Sequence, residues 1–419
     1  MQYFTFLGLG ANNKSYKEVL YFFEDNLNNN EVVDCGQFIQ APIMNKFAKE
    51  LKEVYVFATK ESIERNWNSL WDNLKEFSIP INVITIDKDV SFNYFSKQLM
   101  ENMKENEEVI IDITNCFRHI PTKLLFALNY IELTKKAKIK HLYYGKIINN
   151  GEECVIEDFI KDYQLQKVAT LLDQFDKTLM LNSTEIQPFL EIDSSDAKIN
   201  IFLKNLSSLN EMIEFCEFDQ CIKTIRIITE SCNSILKEED KYRIIIPIIN
   251  SIKNKFNTYN SCHNDVEKKE ELIKIILLHK RYQVAVTFID QFFREELIRC
   301  LVEPDNYKYV FNGDVYSFSQ FLISTDGYSI RNTASNIRDF KKKNRYLKLI
   351  EIHQETFNKN VNKLTIKDKK MINLFYDGIR NHMNHAATID QTKFNFNEIL
   401  NNMMNIIRKL RKGDWKNEI

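Results

Sequence analysis

The sequence predicts an α/β domain followed by an all-helical domain. Residues 1–160 alternate short, apolar, β-rich runs with amphipathic stretches, whereas the pattern beyond about residue 160 is helical. Only 9 Gly and 6 Pro occur among the 419 residues. In an average protein, Gly and Pro together make up roughly 12% of the residues, a far larger share. So few helix breakers favour long helices and short connections. The length suits two or three domains, each with its own core.

Five apolar runs are expected to be strands of one sheet. They are YFTFLGLG (3–10), EVYVFAT (53–59), INVITI (81–86), EVIIDIT (108–114) and IKHLYYG (139–145). The amphipathic stretches between them are the expected helices, at 43–52, 61–77, 92–104 and 119–135. Near-continuous apolar strands separated by helices indicate a parallel sheet covered on both faces, with right-handed crossovers. We therefore expect a Rossmann-like layer.

The rest of the chain is expected to be helical. Residues 159–181 have the pattern of a helix, and 182–196 have the turn formers, the proline and the SSD cap of a linker. Residues 265–302 indicate either one kinked helix or two. The predicted division is an α/β domain at 1–158, a helical linker at 159–200 and an all-helical domain at 201–419.

Composition and motifs exclude several classes of protein. The net charge is -1, so no global basic field attracts nucleic acid, and any such contact needs a local patch. The eight cysteines form no CxxC pair, so no metal site is expected. The start, MQYFTFLGLGANN, lacks a basic region before an apolar core, and no uncharged apolar run reaches ~18 residues. We therefore expect a cytoplasmic protein without a signal peptide or a membrane span.

The first candidate site lies at the carboxyl ends of the predicted strands, where ligands bind in open parallel sheets. Glycines there let a ligand approach the backbone, and helix N–H groups favour anions. Lys60 and Arg118 add positive charge suited to phosphates. The segment DITNCFRHIP (112–121) follows the fourth predicted strand and holds several of these residues. It is also compatible with an ordinary strand end followed by a helix start. The candidate ligand-binding residues are Gly8, Gly10, Thr59, Lys60, Thr114, Asn115, Cys116, Arg118, Tyr144 and Gly145.

A conventional nucleotide-dependent enzyme is disfavoured. The loop GLGANNK after the first strand lacks the third glycine of the GxGxxG pattern. No acidic residue occupies the usual dinucleotide position after a clear second strand, and no P-loop occurs in the chain.

The second candidate site is RNHMNHA, at 380–386, in a segment predicted to be a helix over 371–388. At about 100° per residue, Arg380, Asn381 and His385 share one polar arc. Arginine binds phosphate and stabilises developing charge, and histidine transfers protons near neutral pH. With RNA the 2′-hydroxyl is a built-in nucleophile, so no metal is required. The same arc is also compatible with a solvated helix face. The opposite face carries Ile372, Tyr376, Ile379 and Met383.

The N-terminal motifs resemble the CARF domain of CRISPR-associated proteins. DITNCFRHIP (112–121) is similar to the family pattern D-[ILV]-T-H-G-F-R-S-L-P, and departs from it at Asn115, Cys116, His119 and Ile120. FLGLG, VFATKESIERNWNSL (56–70) and HLYYGK (141–146) resemble other family segments in the expected order, over roughly residues 1–150. The resemblance implies a homodimeric receptor for a cyclic oligoadenylate, with cyclic tetra-adenylate favoured.

The C-terminal motif resembles the R-x4–6-H motif of HEPN ribonucleases. Arg380, Asn381 and His385 match it as R-N-x-x-x-H and would be catalytic. Residues 281–297 are similar to a HEPN-like helical core, in which we expect Arg281, Arg294 and Glu295 to be ordinary face residues.

The leading hypothesis is therefore a CARF–HEPN protein of type III CRISPR defence. It would be a homodimeric endoribonuclease that is activated by a cyclic oligoadenylate, needs no metal or other cofactor, and cleaves single-stranded RNA. The alternative is a non-enzymatic sensor whose helices recruit a partner. A scaffold, however, has no need of Arg380 and His385 on one arc.

Overall fold

A computed structural model of the protein describes residues 1–10, 16–25, 31–115, 119–190, 196–301, 363–375, 379 and 395–411. These residues belong to two compact units, Met1–Lys167 and Val168–Ile419. The first unit contains an eight-stranded sheet with helices, and the described part of the second is helical. The predicted order of an α/β domain followed by helices is confirmed.

The strands pair in the order β3-β2-β8-β7-β6-β1-β4-β5. They are β1 Gln2–Leu7, β2 Val19–Phe23, β3 Asp34–Gly36, β4 Glu53–Ala58, β5 Ile81–Thr85, β6 Glu108–Asp112, β7 Lys138–Ile148 and β8 Glu153–Asp158. Helices of this unit are α1 Gln40–Lys46, α2 Lys60–Leu74, α3 Phe92–Asn102 and α4 His119–Lys135. Helix α5, Ile160–Thr178, begins in it.

The sheet is mixed: the five predicted strands are parallel, as expected, and the strands that were not predicted add the antiparallel pairs. Strands β1, β4, β5, β6 and β7 are parallel, but β8 runs antiparallel to β7, and β3 antiparallel to β2. The sequence did not predict β2, β3 or β8. Strand β8 was missed because its sequence, ECVIED, has only three apolar residues between acidic ones, too few for a clear strand pattern.

Both faces of the sheet are buried, as predicted. Phe4 of β1 stacks on Tyr55 of β4, with ring centroids 4.9 Å apart, on one face. Tyr3 of β1 and Val54 of β4 belong to the core on the other face. This alternation follows from the two-residue period of a strand. The ends of the central strands therefore lie between two layers of helices.

The described part of the second unit contains the end of α5 and the helices that follow it. They are α6 Ser183–Leu190, α7 Ala197–Glu214, α8 Phe218–Leu236, α9 Glu239–Tyr242, α10 Ile246–Lys255, α11 Asn257–Asn260, α12 Asp265–Leu278, α13 Tyr282–Leu301, α14 Ile366–Asn373 and α15 Phe396–Arg411.

The segment 182–196, within the predicted helical linker, is helical over Ser183–Leu190. The physical reason is a half capping box: the backbone N–H of Asn182 donates to Glu185 Oε2 at 2.8 Å. The predicted cap at the end of the segment is confirmed, because Asp196 accepts from the first N–H groups of α7. Residues 191–195 lie outside the described part.

The long apolar stretch at 265–302 forms two helices, α12 and α13. Lys280 between them has a φ of 59°, a left-handed conformation that ends a helix.

Candidate functional site

The carboxyl ends of β1, β4 and β6, together with β7, border a cleft of about 890 Å³. Lys60, the first residue of α2, does not line this cleft and is exposed. Cys116 and Arg118 lie outside the described residues. The structure thus brings most of the predicted ligand residues to one place, and their binding role stays a prediction. The predicted residues that line the cleft are Gly8, Gly10, Thr59, Thr114, Asn115, Tyr144 and Gly145.

A buried carboxylate anchors the strand ends beneath the cleft. Asp112 at the end of β6 is fully buried. The Thr5 hydroxyl donates to its Oδ2 at 2.6 Å, and Thr114 donates to its Oδ1 through the hydroxyl at 2.5 Å and the backbone N–H at 2.9 Å. Burial raises the pKa of Asp112, and the hydrogen bonds from Thr114 and Thr5 act in the opposite direction. Asp112 therefore links the end of β6 to the middle of β1 through neutral donors.

The hydroxyl of Thr114 is committed to this network. It donates to Asp112 and also accepts a hydrogen bond from the backbone N–H of Gly145, at 2.7 Å. Its proton is therefore not available to a ligand. Thr114 ties β6 to β7 and fixes the backbone of Asn115, which follows it at the rim of the cleft.

Gly145 permits a close approach between elements. A Cβ at this position would lie 2.5 Å from Ile39 Cδ1 and 3.0 Å from both Cys154 Sγ and Thr114 Cγ2. These distances are below ordinary van der Waals contact, so any side chain would force its neighbours apart. Gly145 thus keeps β7 close to the cleft floor.

The backbone of Gly8 is held from two sides. Its N–H donates to the Tyr16 hydroxyl at 3.1 Å, and its carbonyl accepts from Asn66 Nδ2 at 2.9 Å. Asn66 lies on α2, whose N-cap is Thr59, with the Thr59 hydroxyl accepting from the Ser62 N–H at 3.2 Å. The positive end of the α2 dipole therefore points toward the Thr59 rim of the cleft.

The charge of the cleft suits an anion. Of the described residues that line it, Lys17 and Lys146 are cationic and none is Asp or Glu. Lys146 forms an ion pair with Glu157 at 3.1 Å, and its side chain remains 57% exposed. No ion-pair partner of Lys17 is found within the described part of the chain. The described lining thus carries two cations and no carboxylate, although the chain as a whole is nearly neutral.

An aromatic side chain flanks the same cleft. Tyr144 is 38% exposed, and its ring stacks on Phe159, with centroids 5.9 Å apart and an interplanar angle of 16°. One ring face is thus supported while part of the side chain is open to solvent. A supported, accessible aromatic ring is the usual platform for a nucleobase.

Several lining residues were missed by the sequence analysis. Tyr16, Lys17 and Gln37 lie around β2 and β3, which were not recognised as strands, and Lys146 follows a predicted residue directly. The run YKEVLYFF (16–23) carries the one available signal, a short apolar stretch rich in aromatic residues.

The second candidate site lies outside the described residues, since Arg380, Asn381 and His385 belong to the part that the structure does not describe. Two residues of the predicted opposite face are described, and both Ile372 and Ile379 are buried. The polar arc itself stays a prediction.

The charged residues of the predicted helical core are not solvated face residues, which corrects that expectation for both arginines. The Arg281 side chain is 7% exposed and pairs with Glu214. Arg294 is 4% exposed and pairs with Asp290 at 2.5 Å. Glu295 pairs with Lys269 at 2.7 Å, where both side chains are mostly buried.

Two comparisons with known proteins bear on the chain. No protein-family model matches the chain. Over 145 residues the chain is 26% identical to a CRISPR-associated protein of Methanocaldococcus jannaschii. The match covers 34% of this chain and 22% of the relative, so the chain spans about a fifth of that protein's length. The similarity supports a CRISPR association.

Two features are absent from the described residues. None of the helices in the described ranges is both long and apolar enough to cross a membrane. Within those same ranges, no group of three or more His, Cys, Asp or Glu side chains is arranged to hold a metal ion.

Proposed function

We propose that this protein is an endoribonuclease of type III CRISPR defence that is switched on by a cyclic oligoadenylate. The observation that carries the proposal is the cleft at the carboxyl ends of the sheet, which combines two lysines with an accessible aromatic ring and has no acidic lining among its described residues. The similarity to a CRISPR-associated protein supports the same direction.

The cleft chemistry fits a ring of adenylates. Lys17, Lys146 and the N-terminus of α2 favour the phosphates. Tyr144, backed by Phe159, offers one face to an adenine, and such stacking contributes about 1–3 kcal/mol per base. Cyclic tetra-adenylate has two-fold symmetry, so a homodimer could bind one ring through the same residues of both copies.

The reaction that we propose needs no metal. The 2′-hydroxyl of a nucleotide attacks the adjacent phosphorus, the bond to the 5′-oxygen breaks, and a 2′,3′-cyclic phosphate and a 5′-hydroxyl remain. His385 would handle the proton of the attacking or the leaving oxygen, and Arg380 would stabilise the charge on the phosphate, with Asn381 orienting it. The ring would act by binding the active arrangement more tightly than the inactive one.

A cleavage assay in EDTA tests this proposal. Wild type is incubated with single-stranded RNA and each cyclic oligoadenylate in turn, beside the variants Arg380→Ala and His385→Ala and the control His382→Ala. We expect ring-dependent cleavage in EDTA, and losses on the order of 10²–10³ in the first two variants. If His385→Ala cleaves RNA as fast as wild type, the mechanism is refuted. It is also refuted if EDTA stops RNA cleavage by wild type. Ring binding without any cleavage would instead favour the non-enzymatic sensor.

A further inference from the structure

Three basic side chains converge on the C-terminal end of helix α5. Lys255 of α10 and His279, which follows α12 directly, both lie at the backbone carbonyl of Asp176. Arg281 Nη1 donates to the carbonyl of Leu179, just beyond α5, at 3.0 Å. The last carbonyls of a helix lack partners within it and form its negative end, so basic groups are favourable there. We call Asp176, Lys255 and His279 the α5 latch.

The α5 latch is largely withdrawn from solvent. The side chains of Lys255 and Asp176 are 13% and 20% exposed, and Nζ of the first lies 3.3 Å from Oδ1 of the second. The Ser251 hydroxyl donates to Oδ2 of Asp176 at 2.7 Å. His279 is half-buried. Interactions among these groups are therefore stronger than they would be in water.

Hydrogen bonding fixes which nitrogen of His279 carries the proton. Its Nδ1 lies 2.7 Å from the carbonyl oxygen of Ile275, which can only accept, so Nδ1 is the protonated nitrogen. In the neutral ring Nε2 is then an acceptor. Nε2 lies 2.5 Å from Lys255 Nζ, which can only donate. The neutral imidazole therefore accepts a hydrogen bond from a mostly buried ammonium group.

A second proton on His279 would reverse this interaction. Nε2 would become a donor and would carry positive charge 2.5 Å from Lys255 Nζ. The carbonyl of Asp176, 3.1 Å from Nε2, already accepts a hydrogen bond from Lys255. Burial lowers the pKa of His279, and the charge of Lys255 acts in the same direction. The carbonyls of Ile275 and Asp176 and the Asp176 carboxylate oppose this lowering without outweighing it.

We propose that the α5 latch is a proton-sensitive switch, which holds the C-terminal end of α5 to α10 and α12 while His279 is neutral and releases it when His279 is protonated. Among the described residues, the charged side chains that interact with His279 are Lys255 of α10 and Asp176 of α5. Arg281, two residues further along the chain, is paired with Glu214 of α7.

The position of the latch in the chain gives the switch its consequence. Helix α5, Ile160–Thr178, contains the boundary between the two units, which falls between Lys167 and Val168. The latch therefore acts on the segment that joins the α/β unit to the helical unit. The inference does not depend on the proposed nuclease activity, because it is measured without ring or RNA.

The direction of the pH dependence follows from the lowered pKa of His279. The latch stabilises the end of α5 fully above about pH 6.5, where the imidazole is neutral in both the closed and the open latch. This stabilisation is lost as the pH falls below about 6.5, because the open latch then takes up a proton that the closed latch resists. At about pH 5.5 the open latch is favoured about 10-fold more than at about pH 7.5.

Hydrogen exchange of the full chain, read by mass spectrometry over residues 172–181, tests the switch at these two pH values. Wild type is compared with His279→Gln, which keeps an acceptor for Lys255 but does not titrate, and with the control His263→Gln, whose histidine is exposed. The acid-induced increase in opening should be about 10-fold larger in wild type and control than in His279→Gln. An equal increase in all three proteins would overturn the inference.

Removing the cation beside Nε2 tests the cause of the switch. In Lys255→Met the protonated ring meets no ammonium group and can donate to the free carbonyl of Asp176. The acid-induced increase in opening should therefore be smaller than in wild type, whereas the control Lys253→Met, on the same helix, should respond as wild type does. An increase in Lys255→Met as large as that of wild type would contradict the proposed switch.

A measurement on wild type alone guards against variants that fail to fold. The ring nitrogens of the seven histidines are labelled with nitrogen-15 and followed by NMR as the pH is lowered. We expect one ring with its proton on Nδ1 that is still neutral at about pH 6, below the usual histidine pKa. If no ring has this tautomer, or if every such ring titrates at about 6.5 or above, the inference is overturned.

Discussion

Asp112 of the α/β unit and two buried carboxylates of the helical unit have different kinds of partner. In the α/β unit, the fully buried Asp112 is satisfied by hydroxyl and backbone donors, and no cation contacts it among the described residues. In the helical unit, buried carboxylates pair with cations, as Asp290 does with Arg294 and Glu295 with Lys269. At the cleft, Lys146 pairs with Glu157 while its side chain stays 57% exposed, whereas Lys269 and Arg294 of the helical unit are mostly buried in their ion pairs.

The largest effect is expected from breaking an ion pair in the helical unit. Glu295→Ala should lower the free energy of unfolding by about 3 kcal/mol, because it leaves the charge of Lys269 buried without its partner. Urea unfolding measures the change. Lys269→Met combined with Glu295→Leu should restore most of the loss, since both charges are then removed. If Glu295→Ala is as stable as wild type, solvent reaches the Lys269–Glu295 pair. The contrast with the buried carboxylate of Asp112 would then be wrong.

An intermediate effect is expected where β7 approaches the cleft floor. Gly145→Ala should lower the free energy of unfolding by about 1–3 kcal/mol, because the added Cβ overlaps Ile39 and crowds Cys154. The matched control is Gly36→Ala, whose Cβ would lie 4.0 Å from its nearest neighbour, Asp34 Oδ2. It should stay within about 0.5 kcal/mol of wild type. Equal stability of the two variants would show that the strand end relaxes freely.

The smallest effect is the change of folding stability with pH. Its sign should differ between Asp196 of the helical unit and Asp112 of the α/β unit. Burial acts to raise the pKa of Asp196, but hydrogen bonds from Lys241, Tyr242 and the start of α7 outweigh it and lower the pKa from 3.8 to about 2. Asp196 therefore stabilises the fold above pH 4, and this contribution is lost as the pH falls toward 2. The pKa of Asp112 is raised, so the cost of its buried charge is relieved on acidification.

Urea unfolding between pH 5 and pH 2 separates the two carboxylates. Asp196→Asn should lose less stability on acidification than wild type, by on the order of 1 kcal/mol after discounting for solvent screening. Asp112→Asn should lose more than wild type over the acidic range in which Asp112 takes up its proton. Parallel pH profiles for both variants would contradict the assigned pKa directions.

Much of the cleft was predictable from sequence because parallel strands end at one edge of a sheet. Gly8, Thr59 and Thr114 are far apart in the chain, and strand order alone brings them together. Tyr16 and Lys17 were not predicted as lining residues, because β2 is short and charged residues precede it. Thr114 was predicted as a direct ligand residue, but in the structure its hydroxyl donates a hydrogen bond to Asp112 and accepts one from the backbone N–H of Gly145.

Prediction was weaker in the helical unit because helix packing, not strand order, selects the partners there. Arg281 and Arg294 look like surface residues in a helical pattern, yet both are buried in ion pairs. The partner of Arg281, Glu214, lies 67 residues away on α7, and no sequence periodicity indicates such a pairing.

Calorimetric titration of cyclic tetra-adenylate tests the central claim, that the cleft receives a cyclic oligoadenylate. Wild type should bind about one ring per two chains, with an affinity that falls as salt is raised, because the attraction is partly ionic. Gly145→Ala should weaken binding at least about 10-fold, whereas Gly36→Ala should bind as wild type does. No heat with any cyclic oligoadenylate, or the same affinity in both glycine variants, would contradict the account.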